Sequence, residues 1–400
     1  MKRYSVLVAS IFMQVCLGGI YAWSTFVPPL REAHGLTAAH TQLIFGVTIA
    51  MLTVGMVLGG RMEARRGPRL VAAIGAVLYC AGYLIAAQSR GTFYLLLTGL
   101  GLVAGLGIGM AYICPIATCV KWFPRRKGLI TGLTVAGYGA GAIVLATLST
   151  ELFQRHWEVL SVFRLIAIAY GAVVFVGALF LSVPQSSAQE PGAADFTVRW
   201  LLRQREFWAL SAGMFCATFA GTMVIGNLKP LGLQAGLSAS IATAAISALA
   251  LGNAAGRLTW GGAHDRWGAR VLPLSLVFLG ASVLALLLVG RVHNVFLSFS
   301  LLVGFGYGAA LVLYVAQAAQ VWGLGRVSRI YPFVMLFHGA AALVGPALAG
   351  FILDRLGTYN PALITGGVLA LGGAMLVLIL GLTDHRRTGT IPEPVEEALV

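Results

Sequence analysis

Twelve stretches of about 20 residues each, almost free of charge, run through this 400-residue chain, and a lipid bilayer is the solvent that admits so many. They cover roughly residues 5–30, 41–60, 70–88, 92–120, 128–150, 162–183, 207–228, 237–262, 271–290, 294–320, 330–352 and 361–383. Only 10% of the residues are charged and 58% are hydrophobic, whereas a soluble domain averages about a quarter charged and half apolar. Hydrocarbon offers the backbone no partners, so each span is expected to satisfy its own amides as an α-helix. The first span follows Met1-Lys2-Arg3 and could open a signal peptide, but eleven more follow it, and it is read as a retained helix.

A net charge of +14 would suggest nucleic acid in a soluble chain. Here the basic residues fall in short clusters between the spans, so they report orientation and no nucleic-acid partner is expected. An even number of spans puts both termini on one face. Nineteen of the 27 Lys and Arg lie on that face, and seven (Arg31, Arg90, Arg155, Arg164, Lys229, Arg291, Arg355) on the other. The positive-inside rule then predicts cytoplasmic termini and a multi-pass protein of the cell (inner or plasma) membrane, with the lipid bilayer as its surroundings. One basic residue is left over, Arg257. The five cysteines, Cys16, Cys80, Cys114, Cys119 and Cys216, lie in apolar runs without C-x-x-C or histidine spacing, so neither metal nor cofactor is expected.

The chain repeats itself at an offset of about 200. "GRMEARRGPR" (60–69) answers "GGAHDRWGAR" (261–270), Trp122 answers Trp322, and Gly139 answers Gly339. Equivalent loops fall on the same face, so two parallel six-helix repeats are expected, with a substrate site between them near mid-membrane. The predicted units are an N-terminal bundle over 1–183, a cytoplasmic linker over 184–206 containing "PQSSAQEPGAAD", a C-terminal bundle over 207–383 and a tail over 384–400. The architecture resembles the major facilitator fold. "GGIYAWSTFVPPLRE" (18–32), "KWFPRRKGLITGLTVAGYGAGA" (121–142) and "HGAAALVGPALAG" (338–350) are similar to the oxalate:formate antiporter family and its monocarboxylate-transporter relatives, along essentially the whole chain.

The superfamily's inter-helix loop pattern identifies gating residues Gly261, Asp265, Arg266 and Gly268 in the second half, and Glu63, Arg65 and Gly67 in the first. Ala64 stands at the place of Asp265, so a latch there is expected to be weakened or rebuilt through Glu63. In "LALGNAAGRLTWGG" (249–262) a lone guanidinium sits within an apolar span. Such a residue costs about 2.5–3.5 kcal/mol on insertion scales and by default faces a water-filled path; the alternative is snorkelling to the nearby interface. Asn253 lies one turn earlier on the same face. A planar, permanently charged fork suits a carboxylate, and the resemblance implies the same role for this arginine.

Where the oxalate transporter of the family carries a lysine, this chain has His338. The resemblance thus implies that a second fixed cation is missing, which favours a monocarboxylate over a dianion. His338 is a candidate proton-coupling residue, or a neutral histidine held by a hydrogen bond. Family pocket positions fall on Tyr21, Tyr112 and Tyr307, and repeat symmetry sets Tyr138 opposite His338; each offers a hydroxyl and a ring, or simply packs. Gly101, Gly105 and Gly109, and likewise Gly252 and Gly256, have the four-residue spacing of close helix contact. No catalytic constellation, P-loop or deep carboxylate is present, so an intramembrane enzyme and a channel are the disfavoured readings. The expectation is a gradient-driven carrier, working as a monomer, that moves lactate-, pyruvate-, formate- or acetate-like anions with protons. Oxalate:formate-type exchange is the alternative.

Overall fold

The computed structural model describes residues 2–123, 127–184, 197–288 and 293–381; most of the expected linker, the tail and Arg291 lie outside them. The described elements are all helical. Eleven stretches are long and apolar enough to span, and one of them, Ala239–Leu288, divides into two helices, giving twelve. They are α1 (Arg3–Thr25), α2 (Ala38–Arg66), α3 (Pro68–Ala87), α4 (Phe93–Trp122), α5 (Lys127–Gln154), α6 (Val159–Phe180), α7 (Arg205–Gln234), α8 (Ala239–Trp267), α9 (Val271–Ala285), α10 (Asn294–Trp322), α11 (Leu324–Leu356) and α12 (Asn360–Leu380).

Several ends differ from the sequence expectation for local reasons. The first span tightens into a 3-10 turn at Gly19–Thr25, and a separate short helix, Val27–His34, starts at Pro28 and Pro29, where the missing N–H groups are harmless. Helices α2 and α8 each run several residues further than expected. Gly261, Asp265 and Arg266, like Glu63 and Arg65, are therefore helical residues and not loop residues. Only a turn follows. It is made at Gly67 (φ 80°) and Gly268 (φ 63°), equivalent positions whose backbone conformation penalises any side chain.

The packing keeps the twofold relation of the sequence. Helix α2 lies against α11 and α5 against α8, two contacts that are equivalents of each other, and the 3-10 turn of α1 meets α7 between them. Polar links across the two halves gather on the side away from the termini. There the Asp354 carboxylate, at the end of α11, accepts from the Ala38 and Ala39 amides at 2.9 and 2.7 Å, offering negative charge to the start of α2. Gln42 donates to the Gly226 carbonyl at 2.9 Å, and the Thr150 and Thr243 hydroxyls lie 3.1 Å apart. On the terminal side no comparable contact joins α4 to the end of α10 among the described residues. The halves are tied by these polar links on one face and packed less closely on the other.

Small residues permit the closest approaches. Gly105 and Gly109 of α4 back onto the Thr48 and Leu52 carbonyls, and Gly252 and Gly256 of α8 onto those of Leu301 and Phe305. Gly256→Leu is expected to destabilise the protein by about 1–3 kcal/mol, the usual range for overpacking. A lowered melting temperature and a reduced monodisperse yield would register it. Gly262→Leu, where a Cβ meets nothing within 4 Å, should leave both unchanged.

Candidate functional site

Arg257 stands ten residues before the end of α8, on the stripe that Gly252 and Gly256 press against α10. Its Nε donates to Oδ1 of Asn253 at 2.9 Å; Asn253 is buried and the arginine partly so. The side chain does not run out along the helix toward water. Tyr21, Tyr138 and Tyr307, which come from α1, α5 and α10, lie within electrostatic range of it. The rings form one chain: Tyr112 packs edge-on to Tyr138 at 4.9 Å, Tyr138 to Tyr21 at 5.5 Å, and Tyr21 to Tyr307 across the halves at 6.5 Å. Six expected residues, Arg257, Asn253, Tyr21, Tyr112, Tyr138 and Tyr307, thus converge.

The arrangement has a definite chemical capacity. One nitrogen of the guanidinium is committed to Asn253, and the two terminal nitrogens make no hydrogen bond among the described residues. They form a fork of the shape a carboxylate matches. No Asp or Glu of the described residues pairs with Arg257, so an anion would be its first counter-charge. The tyrosine edges would enclose a small carbon chain while their hydroxyls oriented it.

His338 stands apart from this cluster. It lies on α11 at the contact with α2, where Gly339 approaches Ala50 and Thr53, and its hydrogen-bond partner is Thr53 across the halves, Nδ1 to Oγ1 at 3.1 Å. The Thr53 hydroxyl donates to the Ile49 carbonyl at 3.1 Å. With its single proton on that carbonyl, the hydroxyl accepts from Nδ1–H of His338; the other tautomer reverses the bond. Nε2, buried, has no hydrogen-bond partner among the described residues. Symmetry had set Tyr138 opposite this histidine; in the structure Tyr138 meets tyrosines instead.

The gating residues divide. Glu63 pairs with Lys121 at 2.8 Å, joining α2 to α4. At the equivalent place in the second half His264, buried, meets Gln317 at 2.9 Å and joins α8 to α10. Asp265 and Arg266 are exposed, and Asp265 makes no ion pair among the described residues. The clasp one would assign to Asp265 belongs to its neighbour. Arg65 is exposed.

Three functional candidates were missed by sequence reading: His264, Asp354 and Lys229. The last was counted as a loop residue, yet it lies inside α7, 5% exposed, five residues before the helix ends. The signal was available in "NLKPLGLQ" (227–234), where apolar residues continue beyond the charge. A wide groove of about 780 Å³ between α1 and α6 is lined by Val8, Phe12, Val173, Val176 and Phe180, and it faces outward. It is a lipid-facing surface, overwhelmingly apolar and without a cation to hold an anion.

Twelve helices in two related halves, tied together on one face, define a membrane carrier of the rocking type. The chain belongs to the Major Facilitator Superfamily, whose family model matches residues 8–290 and 210–399. It is 27% identical to the oxalate:formate antiporter of Oxalobacter formigenes, covering 91% of this chain and 88% of that one. It is 26% identical to human monocarboxylate transporter 11, over 88% and 77%. Among solved structures, a bacterial homologue of the human lysosomal transporter Spinster superposes with a TM-score of 0.70 over 95% of each chain at 16% identity. That likeness concerns the fold.

Proposed function

We propose that the chain is a secondary active carrier of small monocarboxylates, coupled to protons, with Arg257 as the anchor of the substrate carboxylate. One observation carries the reading: the guanidinium of Arg257, held by Asn253, lies within electrostatic range of tyrosines from both halves whose rings pack edge-on in one chain. A cluster to which both halves contribute is where a substrate would be handed from one opening to the other. The similarity to an oxalate:formate antiporter and to a monocarboxylate transporter supports a carboxylate as cargo. By the charge of its loops the protein lies in the cell membrane with both termini in the cytoplasm, so the less closely packed face is the inner one.

The proposed division is a bundle at each end of the chain, joined by the linker, with the clasps Glu63–Lys121 and His264–Gln317 tying each bundle internally at its inner end. His338, whose Nε2 is the open nitrogen, is the proposed proton site; because its bond to Thr53 crosses the halves, rocking changes its surroundings. The second buried cation, Lys229, does not make an oxalate clamp with Arg257. Its neighbour Thr243 precedes Arg257 by fourteen residues on α8, a rise of about 21 Å at 1.5 Å per residue. A single dicarboxylate cannot reach both.

Uptake of labelled lactate, pyruvate, formate, acetate and oxalate into proteoliposomes tests the reading, with and without an inward proton gradient and with and without internal counter-substrate. Monocarboxylate accumulation driven by the gradient is expected. Uptake of oxalate alone, and only against internal formate, would favour the exchange reading that similarity to the oxalate:formate antiporter raises. Tyr138→Phe keeps the edge-on ring contacts and removes one hydroxyl, so KM should rise about fivefold, the worth of roughly 1 kcal/mol for a hydrogen bond, with the melting temperature unchanged. Kinetics on the purified variant would show it.

A further inference from the structure

Lys229 is the most unusual charge in the molecule. It is buried in the closed outer contact between the halves, and the described carboxylates leave it without an ion pair. Glu151, beside Thr150 in sequence, has an exposed side chain and is engaged with Arg155 at 2.9 Å. The ammonium carries three donors; one reaches Oγ1 of Thr150 on α5 at 3.4 Å, a long bond, and Thr150 in turn meets Thr243 of α8 at 3.1 Å. An intramembrane cation kept at such a cost, facing a seam between moving parts, marks an ion path.

We infer that Lys229, with Thr150 and Thr243, is an outer docking point for the substrate carboxylate, occupied before the anion reaches Arg257. The inference rests on the reading of the protein as an organic-anion carrier and adds a second station to it. The link from Lys229 to Thr150 joins opposite halves, so parting of α5 from α7 and α8 breaks it and turns the ammonium toward the opening vestibule with its donors free. A carboxylate arriving from outside then finds one fixed cation and two hydroxyls. When the seam closes, Thr150 retakes the ammonium and the anion is displaced inward along α8. The two stations are about 21 Å apart along that helix, so each neutralises one carboxylate in turn. The device gives directionality: the outer station serves entry, whereas release toward the cytoplasm needs Arg257 alone.

The test is side-specific kinetics in proteoliposomes of known orientation with labelled L-lactate. Lys229→Gln should raise the KM for entry at the outer face at least tenfold and change the KM for entry at the terminal face by less than twofold, while Lys229→Arg stays within threefold of wild type at both faces. Equal changes at the two faces, or none, would overturn the proposal. A second measurement does not depend on transport or on lactate being the cargo. The thiol introduced by Thr243→Cys should react at least tenfold faster with an anionic than with a cationic methanethiosulfonate reagent applied outside, and Lys229→Gln should abolish that preference; a ratio unaffected by Lys229→Gln contradicts the docking point. Were wild type to move none of the labelled acids while the thiol kept its Lys229-dependent preference, the monocarboxylate reading would fail and the anion station would stand.

Discussion

Arg257→Lys reduces the initial rate of monocarboxylate uptake about 10- to 150-fold while the protein still inserts and purifies as a single species. The magnitude is that of one hydrogen bond to a charged group, about 1.5–3 kcal/mol, at tenfold per 1.4 kcal/mol. Lysine preserves the charge and loses the fork: its single ammonium cannot donate to Asn253 through one nitrogen and to both carboxylate oxygens through two others. Uptake per milligram of reconstituted protein measures the change, and monodispersity on gel filtration separates it from misfolding. A rate within twofold of wild type would remove the guanidinium from the site and leave it a residue that merely reaches for the interface.

The second large effect concerns energy coupling. An inward gradient of one pH unit stores about 1.4 kcal/mol per proton, enough for tenfold accumulation when one proton accompanies one anion. His338→Gln can keep a donor on Thr53 Oγ1, so the contact between α2 and α11 survives, but it offers no basic nitrogen where Nε2 now lies buried. Gradient-driven accumulation should fall from about tenfold to about onefold, with substrate exchange at equal pH within threefold of wild type. Protein-free liposomes correct for the acid that crosses the bilayer unaided. A variant that accumulates as well as wild type shifts the proton to the substrate's own carboxylate or makes the carrier an exchanger.

The histidine also shows where sequence reading stops. The twelve spans were plain because a charge-free run of about 20 residues has few other fates, and the twofold relation was plain because Gly67 and Gly268 answer a backbone demand that only glycine meets well. Arg257 and Asn253 could be paired because four residues along a helix is one face. Thr53 could not be paired with His338, since their bond crosses 285 positions between halves, and periodicity within one helix carries no information about its neighbour. The tyrosines were named by resemblance, and the order in which their rings meet is a product of packing.

Charge misled in two places for opposite reasons. Lys229 ended a span on paper, whereas the helix continues through it because Thr150 and the closed seam hold the ammonium. Asp265 looked like a latch, but α8 continues past it and turns it to the surface, and the buried neighbour His264 takes the contact with Gln317. In both cases the error lay in reading a residue's role from its charge before knowing which face of the helix was buried.

Equilibrium binding of labelled pyruvate to the purified protein, wild type against Arg257→Gln, tests the central claim most directly, because it needs neither a gradient nor turnover. Removing one partner of a buried charge pair costs about 2–5 kcal/mol, so the account predicts saturable binding by wild type, competed by lactate and weakened at least ~30-fold in the variant. Equal affinity in the two proteins would contradict it.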